Sequence, residues 1–108
     1  MIIATILIPL HDNAGVTFAP AHHTAFELRL ADVFGGFTLV PGEHHGGWIQ
    51  DARLYVDRTR AYQIGVDNLL GRAADIIAAA EHAADHYRQE AIFVSYLGNA
   101  EIIPARKG

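Results

Sequence analysis

Cysteine is absent from the 108 residues, and serine and lysine occur once each, as Ser95 and Lys107. The first absence excludes disulfides, thiolate metal ligands and a cysteine nucleophile. Ser95 sits inside the apolar run AIFVSYL without the sharp turn that exposes a nucleophile, so a serine hydrolase is not expected. No GxxxxGK, GxGxxG, GxSxG or HExxH pattern occurs, which removes the common phosphate-loop, dinucleotide, hydrolase-elbow and zinc-protease readings. Basic charge is also scarce. Lys and Arg total 8 against 12 Asp and Glu, a net charge of -4, and Arg106-Lys107 is the one basic doublet. The electrostatic footprint of a nucleic-acid binder is therefore missing, and nucleic acid is not an expected partner. The apolar opening MIIATILIPL is too short to span a membrane. Without a basic start, and running into His11-Asp12-Asn13, it reads as a strand rather than a targeting signal. No membrane contact and a cytoplasmic location are expected.

What is present suits one folded domain over residues 1–108, with 51% hydrophobic and 19% charged residues. Ile2, Ile3, Ile6, Leu7 and Ile8 place apolar side chains on both faces of the first strand, predicting a central strand covered on both sides. A helix follows, starting at Pro20 or Thr24. Thr24 and Glu27 have capping-box spacing, Phe26, Leu30, Val33 and Phe34 form an apolar stripe, and Gly35 can end the helix. Residues 37–40 read as a strand, 41–47 as a loop and 48–50 as extended chain. Residues 54–66 read as a long strand with a polar interruption or bulge at 57–60. A second helix is expected over about residues 68–88, capped by Asp67 or Asn68, with Leu70, Ala73, Ile77, Ala80, Ala84 and Tyr87 inward. Strands over 91–97 and 100–103, joined by a Gly98-Asn99 turn, complete the chain. This β-α-β-β-α-β order with an extra hairpin strand predicts an α+β, ferredoxin-like split βαβ domain, its antiparallel sheet carrying both helices on one face. The uncovered face predicts a homo-oligomer, a dimer or trimer.

Chemistry concentrates in residues 34–57, where Gly35, Gly36, Gly42, Gly46 and Gly47 accompany His44-His45 and the one tryptophan, Trp48. Imidazoles can hold metal, and indole offers a stacking face. His44 and His45, with His22 and His23, are the candidate divalent-metal ligands. Adjacent residues on a strand point oppositely, so solvated loop histidines are the competing explanation. His82 and His86 share one helix face near Asp75, but lie about 140° and 180° from Ile77 at roughly 100° per residue, which predicts solvent. Arg53, Tyr55 and Asp57 alternate on one strand side. They read either as a solvated strand surface or as part of a small-ligand cleft between subunits. In that cleft Asp57 acts as acid, base or cation partner, Trp48 forms a wall, and Tyr62 and Gln89 add polar contacts. No cofactor is specified by any of these patterns.

The segments FGGFT, GGW, the acid at Asp57 and QEAIFVSY resemble a loose family of short uncharacterised bacterial, phage and plasmid proteins. They are also distantly similar to phage S-adenosylmethionine lyases. That resemblance implies a ferredoxin-like trimer with sites between subunits, in which an acid assists an intramolecular displacement releasing methylthioadenosine and homoserine lactone. Carried over, Trp48 stands where that family has an aromatic after glycine, and Asp57 is the nearest match to its acid, with Asp in place of Glu and altered spacing from Gly47. Three functions follow as expectations: a small-ligand or partner-binding protein, a lyase of that kind, or a histidine-based metal binder.

Overall fold

The computed structural model describes residues 1–96 and 99–106, with side chains given outside 99–101. Strand β1 (Ile2–Pro9) is central by pairing, lying between β4 (Arg53–Val66) and β5 (Ala91–Tyr96). Its even positions Ala4, Ile6 and Ile8 are fully buried, whereas Ile3 on the other side is 57% exposed. The expectation of cover on both faces is thus corrected. Helices α1 (Pro20–Phe34) and α2 (Leu69–His86) both pack on the even face, and the odd face stays open within the chain.

β1 and β4 pair antiparallel from Ile2↔Val66 to Pro9↔Thr59, so even residues of both strands share one face. Tyr62, Ile64 and Val66 therefore join Ala4, Ile6 and Ile8 in the core, with Phe26 and Leu30 of α1 and Ile76, Ala80 and Ala83 of α2 above them. The sheet order is β2-β4-β1-β5-β6, with β2 (Thr38–Leu39) and β3 (His44–Gln50) both on β4, and β6 (Asn99–Pro104) on the far edge. This is an α+β fold in a ferredoxin-like arrangement, with β6 as the added edge strand. Residues 97–98, where the predicted Gly98-Asn99 turn begins, lie outside the described residues.

The irregularity expected within β4 is on its partner instead. β4 runs unbroken, while pairing jumps from Leu39↔Tyr62 to His44↔Thr59. Residues 40–43 thus stand opposite residues 60–61, with Gly42 at φ 89° absorbing the excess chain. Residues 44–47, expected in a loop, belong to β3 because this detour returns the chain to register.

Pro20 opens α1 after Ala19, and no side chain caps it. The expected capping box does not form: the Thr24 hydroxyl donates to the Pro20 carbonyl at 3.1 Å, and Glu27 is engaged by Tyr62. Gly35 ends the helix at φ 81°, as expected. α2 is capped by the Asn68 side chain, which accepts from the Gly71 amide at 3.1 Å. Its buried stripe is Ile76, Ala79, Ala80, Ala83 and Ala84, leading to Tyr87, rather than one containing Leu70, which is 95% exposed. In the first turn of α2 it is Leu69 that packs against the core, which turns its neighbour Leu70 toward solvent. Urea unfolding checks this stripe. Ile76→Ala should cost about 2–5 kcal/mol, and Leu70→Ala should stay within about 0.5 kcal/mol.

Candidate functional site

Beyond residue 59, where β1 ends its pairing, β3 and the first half of β4 continue as a two-stranded arm that is exposed on both sides. Its tip is the two-residue turn Asp51-Ala52, with φ 53° and 61°, the left-handed pair that matches strand twist in a tight hairpin. Pairing places Trp48 opposite Tyr55. Their rings stack at 4.7 Å and 19°, the Trp48 indole N–H donates to Asp57 Oδ2 at 3.0 Å, and the Arg53 guanidinium lies 5.5 Å from the Tyr55 ring centre. Four of the residues singled out from the sequence thus share one face of the arm. The opposite face carries Ile49, Leu54 and Val56, all exposed aliphatics. Tyr62 and Gln89 do not join the Trp48 group. Tyr62 is buried on the helix side of the sheet, and the Gln89 amide donates to the Tyr87 carbonyl at 3.0 Å.

The two histidine doublets lie in different settings. His44 and His45 are exposed neighbours on β3 and so point to opposite faces. His22 and His23 begin α1. His22 Nε2 donates to the His86 carbonyl at 2.7 Å and His86 Nε2 to the His22 carbonyl at 2.8 Å, with the rings stacked at 3.8 Å. Among the described residues, no three His, Asp or Glu side chains converge as a metal site.

The solvent placement expected for His82 and His86 is corrected by the same contacts. Ile77 is a poor reference because the buried stripe is centred elsewhere. Measured from buried Ala79, His86 lies only about 20° and His82 about 60° round the helix, on the side that faces α1. His82 stacks on Phe26, and burial followed by the nearby Arg29 lowers its pKa.

A polar groove escaped sequence reading altogether. It has a volume of about 560 Å³ and lies between the chain before α1, the first turns of α1 and the even face of β4. The Tyr62 hydroxyl donates to Glu27 Oε2 at 2.6 Å and accepts from Arg60 Nη1 at 3.1 Å, while Arg60 and Glu27 stand 3.6 Å apart. Burial and the bond to Glu27 push the Tyr62 pKa up to about 12. Arg58 pairs with Glu43 at the outer rim. His23, 5% exposed, shares a 2.7 Å hydrogen bond with the Tyr87 hydroxyl. Burial first, then the positive charge of Arg60, lowers its pKa to about 4 and keeps it neutral. Burial likewise raises the Tyr87 pKa, so that hydroxyl stays protonated. One signal was available in the sequence: Arg58 and Arg60 alternate in phase with core-facing Tyr62, Ile64 and Val66.

No family model matches the chain, and no curated protein sequence does. Among solved structures, a phage SAM lyase in complex with S-methyl-5'-thioadenosine is similar with a TM-score of 0.72 at 14% identity, over 96% of this chain and 89% of that one. A phage SAM lyase in the apo state is similar at the same TM-score and identity, over 99% of this chain and 91% of that one. At this identity the likeness is one of fold.

The neutral, buried His23 has a direct consequence for stability. Its folded pKa of about 4 lies below the ordinary 6.5, so the unfolded chain binds the proton more readily. His23 stability should be complete above pH 6.5 and fall as pH drops toward 4, by about 3 kcal/mol in total. Urea unfolding measured across that range should show this loss, and His23→Gln should flatten it.

Proposed function

We propose that the chain binds a small ligand at a cleft between copies of itself, and that the ligand is S-adenosylmethionine, cleaved there to methylthioadenosine and homoserine lactone. The observation that carries this reading is the fold shared over nearly the whole chain with SAM lyases, one of them holding S-methyl-5'-thioadenosine. The resemblance of FGGFT, GGW and Asp57 to the same enzymes supports it from the sequence side. Ile3, Phe93 and Ile102 on the open sheet face, and Ile49, Leu54 and Val56 on the arm, are exposed apolar surfaces that a second copy would cover. Such cover would turn the arm's Trp48 surface into a cleft wall.

The displacement needs no proton transfer. A carboxylate oxygen of the substrate attacks its own γ-carbon, the carbon–sulfur bond breaks, and the bonding pair passes to sulfur. A sulfonium and a carboxylate disappear together, so charge separation falls along the path and removal of water favours the transition state. The protein's tasks are to fold the substrate into near-attack geometry and to exclude water. Trp48 suits the sulfonium and the adenine as an aromatic face. Asp57 suits the substrate ammonium, whose charge is unchanged by the reaction, so that contact strengthens binding of substrate and transition state alike.

Incubation with S-adenosylmethionine followed by chromatography should show methylthioadenosine and homoserine lactone in equal amounts. Trp48→Ala should lower kcat/KM about tenfold, the loss of one cation–π contact. Asp57→Asn should raise KM about tenfold while leaving kcat nearly unchanged. Binding without consumption would leave the ligand-binding reading and remove the lyase; neither binding nor consumption would remove both.

A further inference from the structure

The groove on the helix side of the sheet lies across the sheet from Trp48 and Asp57, because β4 alternates its side chains between the two faces. The observations behind it are therefore separate from those at Trp48 and Asp57. Within the protein the groove's central pair uses only part of its hydrogen-bonding capacity, and the polar atoms left over are open to solvent. Arg60 and Glu27, 26% and 22% exposed, are too far apart at 3.6 Å for a hydrogen bond and meet only through the Tyr62 hydroxyl. Among the described residues, Arg60 spends one of its five N–H groups on that bridge, and Glu27 Oε1 accepts nothing. Both residues line the groove, so a ligand there can take the place of the water that meets these half-buried charges.

The surroundings narrow what fills that space. The second pair, Arg58 with Glu43, balances the rim, and His23 is neutral, so the two guanidinium groups and two carboxylates of the lining match in number, with His11 beside them. A free anion or cation would leave one lining charge opposed, whereas a ligand carrying both signs close together satisfies each. Leu10, Phe18 and Pro20 supply an apolar wall beside the pair. We propose that this groove binds an α-ammonium carboxylate head, the carboxylate on Arg60 and the ammonium on Glu27, with an apolar side chain against Leu10, Phe18 and Pro20. That head is carried by free amino acids and also by larger molecules such as S-adenosylmethionine.

The test is an NMR titration of the whole chain with L-methionine, read at the His23 ring and the Thr24 amide. Saturable shifts at both are expected. N-acetyl-L-methionine, which lacks the ammonium, and L-methioninamide, which lacks the carboxylate, should each bind at least about tenfold more weakly, the cost of leaving one half-buried charge without its ligand partner. Thr24→Trp, on the exposed rim one helical turn before Glu27, should abolish the His23 shifts while keeping the folded spectrum; Arg60→Gln should abolish the shifts at both positions. Shifts at these positions with S-adenosylmethionine but not L-methionine assign the head to the larger carrier, and the reverse assigns it to a free amino acid. No saturable shift with either compound, equal binding of the blocked derivatives, or unchanged binding to Thr24→Trp overturns the proposal.

Discussion

The antiparallel pairing of β1 with β4 governs everything else in this molecule. Because the register joins even residue to even residue, one face of the sheet collects Ala4, Ile6, Ile8, Tyr62, Ile64 and Val66, and both helices settle on it. A slip of one residue would turn that entire set toward water. The same parity carries beyond the core along β4. Arg60 and Arg58 are delivered to the groove beside α1, while Asp57, Tyr55 and Arg53 go to the opposite side, where β3 sets Trp48 against Tyr55.

β4 is long enough to serve two bodies. Its second half belongs to the packed sheet, and its first half is an arm stabilised by β3 alone. The chain between β2 and β3 makes this division workable, since the four residues 40–43 take up the space opposite 60–61 and let one edge support both halves. The arm has no helix beneath it. Its aliphatic and aromatic faces are exposed together, a cost in water that association with another copy would offset.

The helix interface shows why buried polar groups here do not imply a metal centre. His22 and His86 each donate to the other's backbone carbonyl, which satisfies the His86 acceptor at the end of α2 and gives the His22 carbonyl in the first turn of α1 an added donor. His23 and Tyr87 satisfy each other, and burial holds the imidazole neutral. These histidines lock α1 to α2, and their ring stacking explains how two polar positions, His82 and His86, occupy a packed side of α2.

Strand and helix order, the Gly35 stop, an α2 cap at Asp67 or Asn68 and the grouping of Arg53, Tyr55 and Asp57 on one strand side were legible from the residues alone, whereas Trp48 joins that side through the pairing of β3 with β4. Each follows from local chemistry or from a period of two along the chain. The inward stripe of α2 was not legible, because its alanine-rich sequence has apolar residues on several sides and only the position of the sheet chooses among them. Nor was the Glu27–Tyr62–Arg60 bridge, whose members are separated by 35 positions between Glu27 and Tyr62. The sequence by itself determined which elements form and which side chains alternate together. Tertiary structure alone decided which of those faces is covered, because cover depends on where both helices cross the sheet, and no local pattern encodes that crossing.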